Sequence, residues 1–192
     1  MSHQPRYLSP ECTLVEVTQR TFQGRFLLKP SQALNELIVG ALARAAQRFP
    51  VDVVYPAFLS NHFHLLLRSE TQKVLSDFME YFTSKAAREI CRLYGWEGCV
   101  FPQPYKVREI SGEEAVQVER LHYLMSQGVK EGLVASPLDW PGVHGVQALL
   151  EEQPLSGIWH DRTAEYNARR NGRPVRSEDF VQPESLELSP LP

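Results

Sequence analysis

The chain has 192 residues, with 20 Lys plus Arg, 23 Asp plus Glu and a formal net charge of −3. A hydrophobic share of 43% is enough for a packed core, and 22% charged residues is ordinary for a globular chain. These values exclude disorder along the whole chain and a protein that coats duplex DNA by charge alone. One domain is the expected count for this length. Four acidic residues follow Arg176 with no base after it, and residues 1–176 alone balance at +1. The three cysteines, Cys12, Cys91 and Cys99, form no C-x-x-C pair, so a disulfide framework or structural zinc is not expected. The N-terminus lacks an apolar secretory stretch, and no run reaches the roughly 18 apolar residues of a membrane span, so a cytoplasmic protein is expected.

In chain order, residues 12–19 partly alternate and read as a strand. Residues 20–30 hold Gly24 between two Phe-containing pieces and read as a turn or short hairpin. Pro30 and Ser31 start a helix over 32–48, with apolar residues at Leu34, Leu37, Ile38, Ala41, Leu42 and Ala45. Residues 51–59 and 62–68 are apolar and β-rich, joined by Ser60 and Asn61 as in a tight hairpin. Pro56 marks a bulge or an edge position in the first of them. A long amphipathic helix over 71–94 ends at Gly95. A strand over 104–110 follows. A helix over 112–127 has Ser111 as its expected N-cap, Glu114 completing a capping box, and Gly128 as its C-cap. Beyond Pro137 come loops with a short helical patch at 143–151. From Arg173 on, prolines and acids predict a tail with little packed structure. The expected domain covers 1–165, and 166–192 is the acidic tail.

The order β-α-β-β-α-β is that of the split βαβ, ferredoxin-like layout, an α+β fold. It places helices on one face of an antiparallel sheet. The helix over 112–127 is then an additional, C-terminal element for the other face.

Two local features carry chemistry. His62 and His64 alternate along a strand, so both imidazoles point to one face about 6–7 Å apart and can share a divalent metal. Alone, this H-x-H is equally a pair of satisfied histidines at a sheet end. Tyr123 and Gln127 stand four apart on a helix and share a face. They lie away from the stripe of Val118, Leu121, Met125 and Val129 expected to pack on the sheet. A tyrosine is a nucleophile only when its electrophile is activated, and a metal held by His62, His64 and Gln127 could polarise a phosphoryl oxygen. This union requires the helix to pack beside the histidine strand.

The string Leu59-Ser-Asn-His-Phe-His-Leu-Leu-Leu67 resembles the Ser-Asn-His-hydrophobic-His segment of single-tyrosine HUH transposases. It is most similar to the REP-associated tyrosine transposases of the insertion-sequence-200-like superfamily. The stretch from Tyr123 to Val134, followed by Pro137-Leu-Asp-Trp-Pro141, is similar to that family's catalytic-helix block, and Val17-Thr-Gln-Arg20 to its N-terminal strand. The resemblance covers roughly residues 6–165.

It implies a ferredoxin-like fold and metal-dependent nicking and strand transfer on single-stranded, hairpin-containing DNA through a 5′-phosphotyrosine. By that resemblance His62, His64 and Gln127 are the ligands of Mg²⁺ or Mn²⁺, and Tyr123 is the nucleophile. The chain departs from the family at two points. Many members have a histidine in the first strand near Val15 to Val17, and an Asn-Pro where Gln127-Gly128 stands.

Arg20, Arg25, Lys29, Arg68, Lys106, Arg108 and Lys130 are candidate phosphate contacts, with Phe22 and Phe26 as interleaved stacking residues. Tyr81 and Tyr94 lack an amide four residues on, Tyr105 starts a strand, and all three read as structural. Monomer and homodimer are both compatible, and a dimer could bring Tyr123 of one chain to the histidines of the other. The competing reading is a catalytically silent ferredoxin-like module that binds single-stranded nucleic acid through aromatics. A small-molecule metallohydrolase is weaker, since there is no HExxH.

Overall fold

The computed structural model describes residues 14–172 and 174–192. The start of the first predicted strand, Cys12 and Thr13, and Arg173, where the predicted tail begins, lie outside the described residues.

Strand β1 (Leu14–Arg20) leads through a single 3-10 turn at Phe22–Gly24 to helix α1 (Gln32–Arg48). Strands β2 (Val51–Leu59) and β3 (His62–Ser69) form the expected hairpin. Helix α2 (Gln72–Tyr94) and strand β4 (Lys106–Glu109) complete the ferredoxin-like order. Among the described residues these strands form a four-stranded antiparallel sheet in the order β2-β3-β1-β4. Local chemistry sets the helix ends. The Ser31 hydroxyl accepts from the Leu34 N–H and Thr71 from Val74, while Gly95 closes α2 in the left-handed region at φ 60°.

The alternation of β3 divides the core. Phe63, Leu65 and Leu67 face α1 and α2, where Phe58, Phe78 and Phe82 are buried with them. Leu66 lies on the other face, in a smaller cluster with Leu14, Tyr55, Ala57 and Leu124. That face is covered by α3 (Glu114–Met125) and the short α4 (Gln127–Lys130). The helix expected over 112–127 is thus two helices. Ser126 is the joint: its hydroxyl donates to the Tyr123 carbonyl at 2.9 Å, which diverts that carbonyl from the helical ladder. Ser111 is not the cap either. The N-cap is Glu113, without a side-chain cap bond, and the Ser111 hydroxyl instead accepts from the Glu113 N–H. The packing stripe also differs. Gln117 and Leu124 are the buried residues of α3, and Val118 is exposed.

After α4 the chain passes through a 3-10 turn (Pro137–Asp139) and returns along the outer edge of β2. Phe58 N–H donates to the Val143 carbonyl, Gly145 N–H to the Pro56 carbonyl, and Trp140 Nε1–H to the Phe58 carbonyl, at 2.9, 2.9 and 2.8 Å. The edge position implied by Pro56 is therefore where β2 lies, and its bulge falls earlier, between Val53 and Tyr55.

His144 is buried here, its ring edge-on to Tyr55 and its Nδ1 3.0 Å from the Tyr55 hydroxyl. Burial pushes its pKa down to about 4, against a smaller opposing effect of the Leu124 backbone. Between about pH 6.5 and 4 an unfolded chain would bind a proton at this imidazole while the folded chain does not. Stability is therefore expected to fall as pH drops through that window and to be level above it. Urea midpoints at pH 7 and 4.5 should show the loss, and His144→Gln should show a smaller one; an unchanged difference would refute the assignment.

The last segment is more ordered than its composition predicts. Helix α5 (Val146–Glu151) precedes β5 (Leu155–His160), α6 (Arg162–Arg170) and β6 (Val181–Leu186), and β5 and β6 pair antiparallel. Glu165 gathers Ser177, Arg169 and His160, whose hydrogen bonds hold its carboxyl down to about 2. The β5–β6 ribbon lies on α1 with backbone against backbone. A Cβ on Gly40 would stand 2.0 Å from the Ile158 carbonyl oxygen, and one on Gly157 2.3 Å from the Gly40 nitrogen. Arg44 pairs with Glu184 at 2.6 Å across the same contact.

Candidate active site

His62 and His64 stand at the start of β3 on the face covered by α3, their ring centroids 5.1 Å apart and their planes at 73°. Each imidazole is held through Nδ1. The Asn61 side-chain oxygen lies 2.7 Å from His62 Nδ1, and a Glu16 carboxylate oxygen lies 2.7 Å from His64 Nδ1, with the Thr18 hydroxyl at 3.1 Å. Asn Oδ1 and carboxylate oxygens only accept, so both Nδ1 atoms donate, which leaves Nε2 as the nitrogen each ring would offer to a metal. Burial, then the charges of His64 and Arg20, push the His62 pKa down to about 4, so this ring is neutral near pH 7. Neutral imidazoles with Nδ1–H anchored to an oxygen are the donor form a divalent cation requires. Among the described residues no group of three or more His, Cys, Asp or Glu side chains could hold a metal. Gln127, the third ligand that the resemblance implies, belongs to a residue type outside that set.

Glu16 was not singled out in the sequence. It lies on β1 opposite Leu66, buried, with Arg120 of α3 ion-paired to its second oxygen. Burial raises the pKa of this carboxyl, but the hydrogen bond from His64 and the charge of Arg120 outweigh it, and the net shift is downward. Its sequence signal was a lone charge inside an apolar strand, Val15-Glu16-Val17.

Tyr123 is partly buried on α3. Two cations flank its ring: the Arg120 guanidinium carbon is 4.1 Å and Lys130 Nζ 4.0 Å from its centroid. Gln127 is buried at the start of α4, and its amide nitrogen donates to the Tyr123 carbonyl at 3.2 Å. Among the described residues no hydrogen bond joins the side chain of Tyr123 or Gln127 to either imidazole. Glu16 and Arg120 link His64 to the Tyr123 ring by direct contacts.

A cleft of about 570 Å³ is lined by His64, Glu16, Thr18 and Arg120, with Arg20, Lys106 and Arg108 also in its wall. A smaller one of about 130 Å³ holds Tyr123, and Arg108 and Arg120 line both. Four of the expected bases, Arg20, Lys106, Arg108 and Lys130, thus border the site. Arg25 and Lys29 are exposed on the loop that packs over the β2–β3 turn, where Leu28 N–H donates to the Ser60 carbonyl. Arg25 lies over Trp96, and Phe26 is exposed beside it. Arg68 is at the far end of β3, ion-paired with Asp52, and does not reach the histidines. Tyr81 is stacked on Trp159, the Tyr94 hydroxyl donates to the Lys29 carbonyl, and Tyr105 lies against Ser76.

The fold matches that of a REP-associated tyrosine transposase solved bound to a REP hairpin. The TM-score is 0.62 at 16% identity, over 79% of this chain and 86% of that one. A protein from Deinococcus radiodurans assigned as a transposase overlaps at a TM-score of 0.44 and 18% identity, over 64% of this chain and 96% of its own. No protein-family model and no curated protein matches the chain. The likeness at 16% identity shows a shared fold, the α+β ferredoxin-like sheet with an added helix on its second face. No helix among the described residues is long and apolar enough to cross a membrane.

Proposed function

We propose that the protein is a single-tyrosine, metal-dependent transposase-like enzyme that nicks and rejoins single-stranded DNA carrying a hairpin. The observation that carries this reading is the pair of imidazoles with both Nδ1 atoms anchored to oxygen, on the sheet face under the helix of Tyr123. The hairpin-bound state of the structural neighbour supports the choice of substrate.

His62 and His64, with the Gln127 amide oxygen, would hold Mg²⁺ or Mn²⁺. When bound, such an ion polarises a phosphoryl oxygen and so makes phosphorus a better electrophile. The Tyr123 hydroxyl attacks that phosphorus. The bond from the tyrosine oxygen to phosphorus forms, the bond from phosphorus to the 3′-oxygen breaks, and the proton lost by the phenol is balanced by one gained at the 3′-oxygen. The product is a 5′-phosphotyrosine and a free 3′-OH. The ester keeps a covalent phosphoryl link, so a 3′-OH can reverse the step and join strands without ATP. Arg20, Lys106, Arg108 and Lys130 neutralise backbone phosphates along the clefts, and exposed Phe26 offers a stacking surface beside Arg25.

Labelled hairpin oligonucleotides with randomised single-stranded flanks, incubated with the protein and Mn²⁺, should give a covalent band that resists SDS. Hairpin binding without any such band would replace this reading with that of a silent binding module. Converting both His62→Ala and His64→Ala should remove metal-dependent cleavage altogether, and cleavage that persists in chelator would contradict the metal assignment.

A further inference from the structure

Glu16 is only 3% exposed. A carboxylate removed from water to that degree is tolerated only where it is paired and hydrogen-bonded. Both of its oxygens are used, and they point to different halves of the site. Oε1 takes His64 Nδ1–H at 2.7 Å, while Oε2 meets Arg120 Nη2. Arg120 precedes Tyr123 by one helical turn, so the two side chains share a face, and its guanidinium carbon lies over the tyrosine ring, 4.1 Å from the centroid. An unbroken chain of contacts thus runs from His64 on β3 through Glu16 on β1 and Arg120 on α3 to Tyr123.

Arginine suits this place in a way lysine does not. Its planar fork can give one edge to Glu16, a face to the phenol ring, and still keep donors for a third group. That third group should be an anion. Lys130 brings a second cation to 4.0 Å from the same ring centroid, and Arg108 joins Arg120 in the wall of the Tyr123 cleft, where Glu109 and Glu119 also stand. Arg120 also lines both the cleft at His64 and the cleft at Tyr123.

We infer that Arg120 contacts a non-bridging oxygen of the phosphodiester that Tyr123 attacks, and that Glu16 is a positioning residue that fixes Arg120 and His64 in one arrangement. This rests on the proposed tyrosine chemistry.

The test uses the full chain and the hairpin oligonucleotide on which the wild-type protein forms its adduct. Three quantities are read: the single-turnover rate of adduct formation at saturating DNA, hairpin affinity by anisotropy, and Mn²⁺ affinity without DNA. Arg120→Met is expected to slow the saturating rate about a hundredfold, the usual effect of losing one donor to a developing charge, with Mn²⁺ affinity unchanged. Arg120→Lys keeps the pair with Glu16, so it guards against a folding defect, and it should still lose at least about tenfold. Glu16→Gln is expected to weaken Mn²⁺ binding by about 10- to 100-fold as well as slow the rate. A merely structural pair would lower the unfolding midpoint but leave the rate and the Mn²⁺ isotherm of the folded protein unmoved. A wild-type rate in Arg120→Lys, or an unchanged isotherm in Glu16→Gln, overturns the inference while the tyrosine reading stands. A wild-type protein that forms no adduct overturns both.

Discussion

Replacing Tyr123 by Phe is expected to abolish the covalent protein–DNA species, a loss of at least about a thousandfold, while hairpin binding and folding stay close to wild type. The substitution deletes one hydroxyl and nothing else. The ring keeps its place between Arg120 and Lys130, and its packing against the cluster around Leu124 is unaltered. The hydroxyl itself makes no hydrogen bond among the described residues, so its removal leaves no orphaned partner. Stability should therefore shift by no more than about 0.5 kcal/mol. The check is a denaturing gel of the Mn²⁺ reaction beside an anisotropy titration of the same hairpin. An undiminished adduct in the variant would move the nucleophile elsewhere, and a collapse in binding affinity would mean that the residue serves recognition.

The second large effect concerns stability. Gly40→Ala is expected to release the β5–β6 ribbon from α1 while the four-stranded sheet survives. Alanine is the better helix former by about 1 kcal/mol, so α1 itself gains. The loss comes from the added methyl, which would stand 2.0 Å from the carbonyl oxygen of Ile158. The obstacle is backbone on both sides and no side chain can rotate away, so overpacking should cost about 3 kcal/mol. The stack of Tyr81 on Trp159 and the pair of Arg44 with Glu184 depend on the same contact. Hydrogen exchange should show protection lost over residues 155–160 and 181–186 and kept over 51–69. Protection retained at β5 would mean that side-chain contacts alone hold the ribbon.

The parts of the fold that local chemistry determines are legible in the sequence alone. The apolar period of α1, the turn at Ser60 and Asn61, and Gly95 at the end of α2 all act within a few residues of themselves. The two histidines were readable for the same reason, since their shared face follows from strand alternation. What could not be read is what depends on register across the chain. Glu16 meets His64 only because β1 pairs with β3 from Leu14↔Arg68 to Arg20↔His62. Arg120 becomes part of the site only once α3 is laid on that face, and the helix is turned differently from the stripe of Val118, Leu121, Met125 and Val129. The ribbon was missed because β6 holds Pro183 and Glu184 and is mostly exposed, so its order comes from docking on α1 through two glycines 117 positions apart in the chain.

That first-strand acid also bears on the departure from the resembling family. Where many members carry a histidine near Val15 to Val17, this chain has a carboxylate that already holds His64.

The return of the chain along β2 has a consequence for how two copies could work together. The segment just after Gln127 is stitched to the edge of its own sheet by the backbone bonds at Phe58 and Pro56, the Trp140 indole and the His144–Tyr55 pair. Lending the tyrosine helix to a neighbouring molecule would unpick that seam and lay bare an apolar strand edge, the kind of surface on which chains stick together. The expected result is that Tyr123 acts over its own sheet, so the rate of adduct formation per chain should not change as the protein is diluted; a rate that falls on dilution would mean that the tyrosine is shared between copies.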